Sequence, residues 1–141
     1  MIDVRLAFAL LSLAPAISSA QGFDWGLLGG TWAESTEHDF GCRPDNLHQQ
    51  FVVSKDRKTL TFRNDRSWKI ETGVDVKEYR AQITRAQDRS LFIRYDTDLG
   101  GSPPAYPEWE MRFIGPGTYR WRAVAWPKNQ FNMVIGVKCK N

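Results

Sequence analysis

The sequence predicts an all-β fold, an up-and-down antiparallel β-barrel of about eight strands. Three observations carry this. Short runs alternate apolar and polar residues with the period of two that a half-buried strand requires. Polar turns rich in Gly, Pro, Asn and Asp separate them, and no stretch has the spacing of an amphipathic helix. One open sheet of such length would leave an apolar face wet, so it must close into a barrel or fold into a sandwich. The hairpins follow one another without the long crossovers of a Greek key, which favours the barrel.

The chain has 141 residues and a formal charge of +3, enough for one domain. Residues 1–20 read as a signal peptide: Arg5 supplies the cation, 6–17 is an apolar run broken by Ser12 and Pro15, and Ser18-Ser19-Ala20 offers a cleavage site. The other reading of this run is a buried N-terminal helix. Residues 21–141 then form the single domain, and losing both Asp3 and Arg5 leaves the charge unchanged. No second apolar segment of membrane length follows, so a secreted or periplasmic protein without a membrane span is expected. The arginines are interleaved with acids and apolar residues, which suits a solvated outer face and not a nucleic-acid surface.

Cys42 and Cys139 are the only cysteines. In an exported protein they are expected to form a disulfide that closes nearly the whole domain, for which chain entropy predicts roughly 4–5 kcal/mol. Metal ligation with His38 or His48 lacks a second close Cys or His at zinc spacing, so no metal or other cofactor is expected.

Taken in order, residues 22–28 carry Phe23, Trp25, Leu27 and Leu28 and read as a turn that plugs one end. Strands are expected at 31–39, 47–54, 59–63 and 67–72, with turns at 41–46, 55–58 and Asn64-Asp65-Arg66. Residues 74–85 and 91–96 follow as strands, then a long loop at 97–107 whose Gly and Pro forbid regular structure. The clearest hairpin comes next. A turn at Gly115-Pro116-Gly117, with Gly117 left-handed, sets Phe113 opposite Tyr119, Met111 opposite Trp121, Trp109 opposite Ala123 and, on the outer face, Glu110 opposite Arg122. Strand 118–126 ends at Pro127. The last strand, 131–138, puts Met133, Ile135, Val137 and Cys139 on one face.

Gly30-Thr31-Trp32 at the first strand, the meander of about eight strands and a disulfide reaching the last strand resemble the lipocalins and the wider calycin group. The resemblance implies that Gly30 and Trp32 close one end of the barrel, with a basic residue from the last strands packed over Trp32. Arg120, Arg122 or Lys138 fits that role. It also implies a small ligand held inside.

The residues support that interior independently. Phe51, Phe62, Tyr79, Ile93, Tyr95, Trp109, Met111, Phe113, Tyr119 and Trp121 all point inward by alternation and form the candidate ligand-binding set, with Val53, Leu60 and Ile83 beside them. A barrel of this size either fills itself with such side chains or holds one small molecule, and both outcomes stand open. Enzymatic readings are weaker. His38 and Asp39 point to opposite faces of one strand and cannot assemble a triad with Ser35. Glu108 and Glu110 lie about 7 Å apart on one face, within glycosidase range, but are expected outward, solvated and Arg-paired. Three functions remain: a carrier of a small apolar or aromatic molecule; a protein-binding module, such as an inhibitor of an exported hydrolase, using loop 97–107 and an outward Trp126; and a carbohydrate binder presenting Trp25, Trp68 and Trp126.

Overall fold

The computed structural model describes residues 22–35, 41–69, 73–96 and 105–140. The expected signal peptide, His38, Asp39 and most of loop 97–107 lie outside them. A 3-10 turn, Trp25–Leu28, leads into β1 (Thr31–Ser35), β2 (His48–Val53), β3 (Thr59–Lys69), β4 (Asp75–Gln87), β5 (Ser90–Tyr95), β6 (Glu108–Gly115), β7 (Thr118–Ala123) and β8 (Ile135–Lys138). Each strand pairs antiparallel with the next, and β8 pairs with β1, so the eight close into a barrel. Among the described residues no helix is long and apolar enough to cross a membrane.

The β6–β7 hairpin has the register that its alternation demands, with Phe113, Met111, Trp109 and Glu110 opposite Tyr119, Trp121, Ala123 and Arg122. The turn differs from expectation. Gly117 is not left-handed; Gly115 pairs with Thr118, and the slack is absorbed by a register shift between Phe113 and Gly115. Asn64-Asp65-Arg66 does not turn either, because β3 runs on to Lys69 with a register shift against β4. The side chains of Asp65 and Arg66 tether the β1–β2 connection instead. Asp65 accepts the His48 backbone N–H at 3.1 Å, and Arg66 donates to the Pro44 and Asp45 carbonyls at 3.0 Å each.

At one end the connections are tight and the 3-10 turn plugs the barrel with buried Phe23 and Leu28. Gly30, at φ +94°, turns the chain from the plug into β1. Trp32 is fully buried there, and its Nε1–H donates to the Leu28 carbonyl at 3.2 Å. The cation over its ring is Lys138, whose Nζ lies 5.5 Å from the centroid. Arg120 and Arg122 do not fill that role. They alternate with the buried Tyr119 and Trp121 and so point out of the barrel, whereas Lys138 pairs directly with Trp32 across the β1–β8 seam. Arg120 lies 4.9 Å over the Phe131 ring and donates to the Asn132 carbonyl at 3.0 Å.

Strand β8 is shorter than the expected 131–138, and Ile135 and Val137 share one face of it. That face is the outer one, because Gly136 and Lys138 share the inner face with Glu34 and Trp32. A Cβ at Gly136 would overlap the Tyr119 ring, so only glycine leaves that ring its place. Beyond β8, Cys139 is bonded to Cys42.

The outer wall holds a further departure. Glu110 is buried, not solvated, at 2% exposure. Arg122 donates to it at 2.7 Å, Arg112 at 2.8 Å and Ser90 at 2.6 Å. The chain after β7 folds back over this group: β7 stops at Ala123, and the Trp126 and Pro127 carbonyls accept from Arg122 at 2.8 and 3.0 Å. Burial alone would raise the Glu110 carboxyl, but the hydrogen bonds from Ser90, Arg112 and Arg122 outweigh it and hold it below its ordinary value.

Candidate ligand-binding site

The ten inward residues divide by height. Phe51, Phe62, Ile93, Met111, Phe113 and Tyr119 are packed together in the closed part of the barrel, none more than 8% exposed. Ring contacts run through this layer without a break: Trp32 meets Phe51, Phe113 and Tyr119 at 6.0, 5.8 and 5.2 Å between centroids. Tyr79, Tyr95, Trp109 and Trp121 stand above it and line a cavity of about 390 Å3 at the opposite end. Filling and cavity are thus both present, one above the other.

The floor of the cavity rests on the packed layer. Tyr79 stacks on Phe62 at 4.4 Å with an interplanar angle of 6°, and Trp121 lies 6.2 Å from the same ring. Tyr95 continues the wall 6.2 Å from Tyr79. Across the mouth, Trp109, Tyr106 and Trp126 pack edge to face, with Trp126 5.4 Å from each of the other two. The Trp109 indole donates to the Tyr106 carbonyl at 2.8 Å, which fixes its orientation. Such a lining, mostly aromatic with a few placed polar groups, has the character of a small-molecule pocket, and its volume falls within the usual range.

Residues beyond the expected set also line it: Glu34, Trp68, Lys69, Tyr106, Trp126 and Asn132. Glu34 was open to detection, since Trp32 points inward and alternation carries the residue two further along to the same face. Its Oε1 accepts the Tyr119 hydroxyl at 3.0 Å and the Trp121 indole N–H at 2.9 Å. Gln49 in turn donates to the Tyr119 hydroxyl at 3.1 Å. Burial, then the negative charge of Glu34, pushes the Tyr119 phenol well above its ordinary value. Burial, Tyr95 and Glu34 do the same to Tyr79. Both therefore remain protonated at neutral pH, and Tyr119 is a permanent donor to Glu34.

The other tryptophans separate. Trp68 is 49% exposed at the mouth, whereas Trp25 sits at the plugged end, edge-on to Phe23 at 5.1 Å and under the Arg57 guanidinium. Trp25, Trp68 and Trp126 therefore share no single exposed face, and Trp126 packs onto Trp109 and does not stand clear of the barrel. His48 pairs with Asp65 at 3.3 Å outside the cavity. Among the described residues no three His, Cys, Asp or Glu gather closely enough to hold a metal ion. Comparison of the chain with models of known protein families and with curated proteins returned no match.

Proposed function

We propose that this protein is a lipocalin-like carrier that holds one small apolar or aromatic molecule in the open end of its barrel, outside the cell or in the periplasm. It is read as a binder and not an enzyme. The observation that carries the reading is the change from a packed interior to an aromatic-walled cavity of about 390 Å3 at one end. A purely structural barrel gains nothing from aromatic side chains that line an open cavity instead of closing it, whereas a flat ligand would bury their faces. The disulfide fits an oxidising compartment.

The test is titration of the purified protein with a panel of apolar and aromatic compounds, read by tryptophan fluorescence, together with native mass spectrometry. Saturable quenching is expected from at least one compound, and Trp109→Ala should weaken it about tenfold. Absence of both quenching and a copurified ligand overturns the reading. Trp68, half exposed at the rim, favours a second reading as a carbohydrate binder. A silent glycan array removes it.

A further inference from the structure

We infer that the cavity selects a protonated aromatic amine, with Glu34 as the partner of its ammonium group. This rests on the binding reading above and adds the charge of the ligand to it. Three features point the same way.

First, Glu34 is a carboxylate on the wall of a mostly aromatic cavity, whose other polar lining residues are Lys69 and Asn132 among the described residues. None of the ion pairs among the described residues includes it. Desolvating a carboxylate without a cation is costly, so an occupant that displaces water from this cavity must supply a positive charge or a strong donor. Second, the two donors Glu34 does have, from Tyr119 and Trp121, are neutral and both go to Oε1. They hold the carboxylate in place without cancelling its charge, and Oε2 receives no hydrogen bond from the described residues. Third, the walls near it are the rings of Tyr79, Tyr95, Trp109 and Trp121. The negative faces of such rings attract a cation and add to the attraction of a carboxylate.

Lys69 is the one cation among the described lining residues, and it lies at the exposed end of β3 on the rim. Solvent screens it there, so it acts on the outer end of a ligand and not on the ammonium. The ligand thus enters amine first, its ring against the tyrosines and tryptophans.

The experiment is calorimetric titration of the purified, disulfide-bonded protein with three probes of one ring system: tryptamine, 3-methylindole and indole-3-propionate. The expected result is that tryptamine binds about tenfold or more tighter than neutral 3-methylindole, and that the anion binds weakest. Glu34→Gln keeps an oxygen to accept from Tyr119 and Trp121 while removing the charge. It should abolish the preference for tryptamine over 3-methylindole. Equal binding of tryptamine and 3-methylindole by the wild-type protein overturns the amine inference and leaves the carrier reading standing. So does a Glu34→Gln variant that retains the preference. Binding of none of the three probes overturns the amine inference, and a silent apolar panel as well overturns the carrier reading. The comparison among probes needs only the wild-type protein, so it decides the matter even if the variant does not fold.

Discussion

At the scale of single residues, the Glu110 cluster shows how an ordinary cross-strand charge pair becomes a structural element. The pairing of Glu110 with Arg122 follows from hairpin register and is legible in the sequence. Their burial is not, because it depends on the chain beyond Ala123 returning its carbonyls to Arg122. Truncating one member of such a pair strands the other, so Arg122→Ala should cost about 3–5 kcal/mol in chemical denaturation. The same cluster sets part of the acid limit. The Glu110 carboxyl is held below its ordinary 4.5 in the folded protein, so its contribution is present above that pH and is lost as the pH falls below it. Asp65 adds to the same limb: hydrogen bonding to Arg66 chiefly, and to His48, holds it at about 2 against an ordinary 3.8. Glu110→Gln should lower stability at neutral pH and flatten the decline measured by thermal melts between pH 5 and pH 3. A decline of unchanged steepness would count against the cluster as its source. Glu34 illustrates the opposite kind of legibility, since strand alternation from Trp32 reaches it directly.

At the scale of elements, the strands that could be read from the chain are those whose two faces differ in polarity. The alternation in 108–123 specifies register, and the observed pairing follows it. β8 is the strand whose inner face alternation leaves open. Its apolar residues share one face, and the ring of Tyr119, which takes the space that Gly136 leaves, decides that the other face is the inner one. Gly136→Ala should therefore cost about 1–3 kcal/mol as the core is overpacked. A readout that isolates the cause is the near-ultraviolet circular dichroism of the tyrosine and tryptophan core, which should change as well. A neutral Gly136→Ala would mean that Tyr119 has room to move. Asn64-Asp65-Arg66 misled for a related reason: turn-forming residues in isolation, they are strand residues here, with the side chains of Asp65 and Arg66 engaged by the chain between β1 and β2.

At the scale of the whole molecule, barrel closure could be anticipated from eight short strands without crossovers, but the division of its interior could not. Alternation says which side chains point inward, while the separation of the walls depends on strand tilt and stagger that no single strand encodes. Cys42 and Cys139, 97 residues apart, link the β1–β2 connection to the residue after β8. Chain entropy assigns a link of that span roughly 4–5 kcal/mol, so reduction under native conditions should lower the denaturation midpoint by a corresponding amount. An unchanged midpoint after verified thiol release would refute that account. A closed barrel presents no unpaired strand to other molecules, and here β8, the last strand, bridges β7 and β1. If β8 is released, β1 and β7 each bare a row of backbone donors and acceptors, and the protein acquires two sticky edges at once. The disulfide beside this seam is thus a guard against self-association as well as a brace, and light scattering of the reduced protein should rise before its secondary structure is lost.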